Sequence, residues 1–319
     1  MAGVGEFRCW EDLIPDALAL IFSHLSLQEI LTVVPRVCKS WAIAVSGPYC
    51  WQDIDIEEWS LQRKPEHLDQ MLRMLVTRSC SSVRRLSVSG LPNDAVFSFI
   101  ADRARSLQTL QLPRSEISDS IVEQVAGKLS NITFLDLSYC GKIGARALEA
   151  FGKHCKSLVG LKRIMHPLEV ADKVCQDDEA LAIATTMPKL KHLEMAYLLL
   201  TNRGVLEILS GCRELEFLDV RGCWDVELDE FVKEKYAGLK VLGPHIVDCY
   251  EMNNWDDCSD YSDSSSFVSW EFMDDDAGDY DGESFDGIWD DEQGLDGLEV
   301  RFYEGFNDSV AGFGWPSSP

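Results

Sequence analysis

Between residues 83 and 244 the apolar positions fall into one recurring frame. VRRLSV from Val83, LQTLQL from Leu107, ITFLDL from Ile132, LVGLKR from Leu158, LKHLEM from Leu190, LEFLDV from Leu215 and LKVLGP from Leu239 align on one another, at steps of 24, 25, 26, 32, 25 and 24 residues. A period in the twenties carrying L-x-x-L-x-L predicts a stack in which each unit supplies one strand and a returning helix. Between the strands the spacing is indeed helical: Leu148, Phe151 and Cys155 stand at i, i+3 and i+7, and Val205, Ile208, Leu209 and Cys212 at i, i+3, i+4 and i+7. Two irregularities stand out. Arg163 occupies a place where the fourth strand calls for an apolar residue, and the following IMHPLEVADKVCQDDE (164–179) accounts for the 32-residue step as an insertion, hence a loop candidate. At the far end Gly243 and Pro244 interrupt the last strand.

These units resemble the cysteine-containing leucine-rich repeats over about residues 83–242. Cys140 and Cys223 each follow a strand's last apolar position by three residues, and Cys155 and Cys212 close helices, so all four are expected to pack as small hydrophobes. No C-x-x-C supports a zinc site. In such a repeat the residues flanking the second leucine face outward from the concave sheet. Phe134 and Asp136, His192 and Glu194, and Phe217 and Asp219 are therefore the candidate substrate-binding residues. Aromatics ringed by carboxylates suit a partner with basic and apolar features.

Ahead of the repeats, LIPDALALIFSHL (13–25) places Pro15 in a first helical turn and Leu18, Ile21, Phe22 and Leu25 at i, i+3, i+4 and i+7. Ser26 and Glu29 make a capping box before Ile30 and Leu31, and Pro35 ends or restarts that helix ahead of Val37, Cys38 and Trp41. Three short helices are expected. So small a bundle presents more large apolar side chains than it can bury, and each one buried in a complex is worth about 1.5–3 kcal/mol. The proline-led helix, the second short helix, the run V-C-K-S-W and the trailing Trp51 together resemble an F-box, from about Cys9 to Trp51, with Ile14 where a leucine is usual. The resemblance implies docking on the Skp-type linker of a cullin ubiquitin ligase, and nominates Pro15, Leu18, Ile21, Phe22, Val37 and Trp41 as residues that meet the linker or shape its docking surface. The whole also resembles a plant F-box group named for WD repeats, although no WD-type framing is present.

Composition changes the picture at the C-terminus. The net charge of −25 is concentrated from Val247 onward, where 21 acidic residues face the single Arg301, a net charge of −20. Self-repulsion predicts a disordered tail there. Trp255, Trp270, Trp289 and Trp315 persist within it, as in acidic segments that bind through their rings. Gly314-Trp315 resembles the Gly-Trp hooks that insert into Argonaute proteins. The nearly balanced body lacks the basic footprint of a nucleic-acid binder. GKIG (141–144) follows a strand and opens a repeat helix, which reads as a turn. The N-terminus lacks a signal-peptide run and no stretch reaches the length of a membrane span, so the cytoplasm or nucleus is expected.

The expected fold class is α/β: a small three-helix F-box (9–51), a leucine-rich-repeat solenoid with an N-terminal cap (52–246) and a disordered acidic tail (247–319). The expected function is that of a non-catalytic substrate receptor, with a Skp-type linker, a cullin and a protein substrate as partners. No cofactor, metal ligand or catalytic residue is expected. A repeat scaffold without a ubiquitin role is the alternative.

Overall fold

The computed structural model describes residues 13–61, 63–166, 175–227 and 238–244. The insertion's centre, residues 167–174, and the acidic segment with its four tryptophans lie outside the described residues.

The N-terminal segment forms α1 (Pro15–Phe22), α2 (Leu27–Thr32), α3 (Val34–Val37) and α4 (Lys39–Ser46). Pro15 opens α1, where a missing N–H costs nothing. The capping box is formed: the Glu29 N–H donates to the Ser26 hydroxyl at 3.3 Å, and the Ser26 N–H donates to the Glu29 carboxylate at 3.0 Å. Four helices replace the three expected from the pattern. Pro35 begins a separate single turn in α3, and Cys38 then takes an extended conformation (φ −160°, ψ 169°) that ends this turn and leads into α4. Leu18, Phe22, Leu31, Val34, Ala44 and Val45 fill the bundle's interior.

A 3₁₀ turn (Pro48–Trp51) leads to β1 (Asp53–Asp55), followed by α5 (Glu57–Ser60) and α6 (Pro65–Arg78). From there strand and helix alternate: β2 (Arg85–Ser87), α7 (Asp94–Arg103), β3 (Thr109–Gln111), α8 (Asp119–Val125), β4 (Phe134–Asp136), α9 (Ala145–His154), β5 (Gly160–Lys162), α10 (Asp177–Thr186), β6 (His192–Glu194), α11 (Asn202–Gly211), β7 (Phe217–Asp219) and β8 (Lys240–Leu242). The strands form one parallel sheet of eight in sequence order. The central residues Leu86, Leu110, Leu135, Leu161, Leu193 and Leu218 share one register, and all are fully buried.

The eighth strand, β1, precedes the seven visible in the repeat frame. Trp51, Ile54 and Ile56 occupy its three apolar positions and are buried. Trp51 also donates its indole N–H to the Val45 carbonyl at 2.8 Å, so one side chain joins the helical bundle to the start of the sheet.

Two ladders bind unit to unit. The first-turn aspartate of one helix accepts from the cap of the next: Asp94 from the Ser118 N–H (2.8 Å), Asp119 from the Gly144 N–H (2.8 Å) and Asp177 from the Thr201 N–H (2.9 Å). A carboxylate at a helix N-terminus is also favoured by the helix dipole. The second ladder is made of thiols. Cys140, Cys155, Cys212 and Cys223 donate to the carbonyls of Leu112, Leu129, Met187 and Met195 at 3.1–3.4 Å, each in the preceding unit. They are core residues, as the pattern predicts, and burial pushes the Cys140, Cys212 and Cys223 thiols up to about 11 and Cys155 to about 12.

Arg163 proves to be interior despite its charge. Its guanidinium donates to Glu179 and to the carbonyls of Cys140 (3.1 Å) and Ile143 (2.7 Å), so the cation stands in the apolar row without an unpaired donor face.

Candidate functional site

Two surfaces carry the residues nominated from the sequence. On the helical bundle, Pro15, Ile21 (41% exposed) and Val37 (53%) lie at the surface. Leu18 and Phe22 do not: both are fully buried, and the Phe22 ring packs 4.9 Å from that of half-buried Trp41. Leu18 and Phe22 therefore shape the bundle from within, while Ile21 and Val37 are free to touch a partner. The sequence pattern passed over Leu13, Ile14, Val33 and Ile43, which are also exposed. Only burial distinguishes the two groups, because in a bundle this small inner and outer apolar positions alternate within single turns.

Leu20, the most exposed of the bundle's large apolar residues, faces elsewhere. With Leu25, Ile30 and Tyr49 it lines a cleft of about 580 Å³ between the bundle and the first strand. At the β1 edge Arg85 reaches Asp53 at 3.8 Å and Asp55 at 3.5 Å, and burial pushes the Asp53 carboxyl above the usual range against the pull of Arg85.

The second surface is the outward face of the sheet. Parallel register sets Phe134 beside Gly160, Gly160 beside His192 and His192 beside Phe217. Gly160 is needed here: a Cβ on it would stand 2.5 Å from Cδ2 of Phe134, whose ring lies over the glycine. The His192 and Phe217 rings stack at 4.4 Å with planes 6° apart, and the Lys240 ammonium sits 5.7 Å from the Phe217 centroid. Phe134, His192 and Phe217 thus belong to one ledge, as the repeat frame predicts.

The acidic row beside it differs from the expectation. Glu194 is held by Lys162 (3.1 Å) and by the His192 ring (2.6 Å). Asp219 is buried, not displayed: Arg221 folds back over it, with Nη2 at 2.7 Å from Oδ2. Asp136 accepts from the Ser138 N–H at 2.8 Å, and burial pushes its carboxyl up. The carboxylates are largely compensated within the face, so the face is aromatic more than acidic. Lys162 and Arg221, which do this, were not singled out by the repeat frame.

A further row lies just beyond the strands. Gly90, Arg114, Tyr139, Met165, Tyr197 and Gly222 occupy equivalent places, each donating its N–H to the next unit. Gly90 and Gly222 have positive φ, and so do Arg114 (57°), Tyr139 (62°) and Tyr197 (63°). A non-glycine residue in that region costs on the order of 1–3 kcal/mol. The Arg114 guanidinium sits 5.0 Å from the Tyr139 ring centroid, the Tyr139 ring lies 4.4 Å from that of His166, and the Tyr197 ring covers Gly222.

Among the described residues no cluster of His, Cys, Asp and Glu could hold a metal ion, and no helix is long and apolar enough to cross a membrane. Trp315 lies outside the described residues.

Comparison with known proteins finds a family match at the N-terminal part of the chain. Residues 10–57 match the F-box-like family, a span that takes in the four helices and β1. The F-box protein FBW2 of Arabidopsis thaliana is 60% identical over 292 residues, covering 90% of this chain and 92% of that protein. The F-box protein SKIP19 of the same plant is 33% identical over 75% of this chain and 78% of its own length. The putative F-box/LRR-repeat protein 9, also from Arabidopsis thaliana, is 32% identical over 70% of this chain and 92% of its own length. The chain belongs to the F-box family, in the group that joins an F-box to leucine-rich repeats.

Proposed function

We propose that this chain is a non-catalytic substrate receptor of an SCF-type cullin ubiquitin ligase, acting in the cytoplasm or nucleus. The F-box docks on the Skp-type linker, and the strand–helix array, read as a leucine-rich-repeat solenoid, holds a protein substrate on its sheet face. Catalysis is then by proximity: the substrate's lysines are concentrated beside a ubiquitin-conjugating enzyme carried by other subunits. The observation that carries this reading is the surplus of exposed apolar side chains on a bundle of four short helices, Ile14, Ile21, Val33, Val37 and Ile43 among them. A monomer has no use for them and a docked one does.

The tail's part in this reading is a second contact. Its tryptophans, Trp315 in a Gly-Trp pair included, would engage an Argonaute-like partner held at the same time by the solenoid. Affinity purification of the full chain from native extract, with a proteasome inhibitor present, tests the proposal. Recovery of linker, cullin and a ubiquitinated protein together supports it, and recovery of a stable partner without the linker supports a repeat scaffold instead.

A further inference from the structure

The sheet face carries a ledge whose chemistry specifies more than "protein". We propose that it takes an uncharged, proline-rich segment in the polyproline II conformation, laid across the strands. This inference rests on the reading of the face as a substrate surface and names the class of segment that fits.

Four observations point the same way. First, every strand from β2 to β7 is paired on both sides, so the backbone groups under the ledge are already used. An occupant gains nothing from its own N–H groups, and proline, which has none, loses nothing. Second, two carboxylates of the face are compensated within it: Glu194 by Lys162 and the His192 ring, and Asp219 by Arg221. A neutral segment leaves those pairs intact, whereas a cationic one would compete with Lys162 and Arg221 for the same carboxylates. Third, the groups left over are donors and rings. The half-buried tyrosines Tyr139 and Tyr197 and the exposed Arg114 supply donors for a segment whose carbonyls have no internal partners, while the Phe134 ring over Gly160 and the outer edges of the stacked His192 and Phe217 rings offer apolar surface. Fourth, the spacing matches. Tyr139 and Tyr197 sit at equivalent positions two units apart, hence about 9.4–9.8 Å at the usual strand separation. A polyproline II helix repeats every three residues, about 9.3 Å, so residues i and i+3 meet equivalent rings.

The left-handed backbone of these tyrosines supplies an unusual test. Replacing both by glycine, the residue found at the same place in the units of Gly90 and Gly222, removes the rings while easing the backbone. The full chain and its Tyr139→Gly/Tyr197→Gly variant would be titrated calorimetrically with an acetylated, amidated nonaproline, and with a Gly-Ser nonapeptide as control. Binding of nonaproline and not of the control, weakened about tenfold or more in a variant that still melts cooperatively, is the expected result. Phe134→Leu, which keeps an apolar side chain but removes the ring, should weaken binding in the same direction if the glycine pair perturbs the fold. Absence of nonaproline binding to the full chain at millimolar concentration overturns the inference, as does equal binding by the glycine variant. A linker pull-down on the same preparations reports separately on the receptor reading, which stands or falls without reference to nonaproline.

Discussion

Arg163 and Glu179, 16 positions apart with the insertion beginning after the one and ending at the other, hold one another in the interior at 3.0 Å, the arginine 1% and the glutamate 4% exposed. Gln176 extends the pair, donating to Glu179 at 3.1 Å while its own side-chain oxygen accepts from the Leu199 N–H at 3.0 Å. The insertion is thereby anchored at both ends to the units on either side of it. Removing one member of such a buried pair leaves an uncompensated charge, so Glu179→Ala should cost about 3–5 kcal/mol in urea unfolding. Replacing both residues by leucine should cost less than Glu179→Ala alone. A Glu179→Ala protein within about 1 kcal/mol of wild type would show that the pair is not what secures the insertion.

The thiol ladder gives a pH dependence of definite sign. Burial pushes Cys140, Cys212 and Cys223 up to about 11 and Cys155 to about 12, from an ordinary value of 9.0. Above pH 9 the unfolded chain gives up thiol protons that the folded chain keeps, so stability is full below that pH and falls as pH rises from 9 towards 11. The urea midpoint should be lower at pH 10 than at pH 8, and the difference should shrink in Cys212→Ala. At pH 8 Cys80 and Cys175, both exposed, should alkylate in the native protein while the four ladder cysteines remain protected.

How much of this could be read from the chain alone depended on whether one residue served one pattern. The repeat frame located seven strands, the role of the cysteines and the ledge of Phe134, His192 and Phe217, because spacing alone determines which side of a strand a residue faces. β1 escaped the frame because Trp51 serves two structures at once, the end of the F-box and the first apolar position of the first strand. Leu18 and Phe22 could not be told from Ile21 and Val37, since i, i+3 and i+4 spacing marks an apolar stripe but not what covers it. Asp219 looked available because its neighbour two residues on, Arg221, reaches back over it, and side-chain pairing of that kind has no spacing signature.

The ledge can be disturbed without touching an aromatic. Gly160→Val places a Cβ where the Phe134 ring lies, displacing the ring while leaving the strand register to the backbone. Substrate capture should fall, as is expected of Phe134→Ala/Phe217→Ala, with linker capture unchanged. Undiminished capture by the glycine variant would remove Phe134 from the recognition surface.

The tail's contribution is separable by truncation and salt. Coupled ordering and binding of a segment generally costs about 2–5 kcal/mol, which one buried tryptophan does not offset alone, so Trp315→Ala should lower capture modestly and replacement of Trp255, Trp270, Trp289 and Trp315 together far more. A chain ending at Ile246 should capture the partner less well than the full chain. Equal capture by both, at low and at high salt, would leave the tail without a binding role.

The central claim is that the bundle's exposed apolar residues exist to be covered by a Skp-type linker. Its most direct measurement is the affinity of purified linker for the full chain and for Ile21→Ser/Val37→Ser, two positions at the surface whose loss leaves Leu18, Phe22 and the bundle's interior in place. Tight binding by the wild type, a loss of at least about a hundredfold in the double variant, and unchanged thermal unfolding of both are expected. Wild-type affinity in a folded double variant would contradict it.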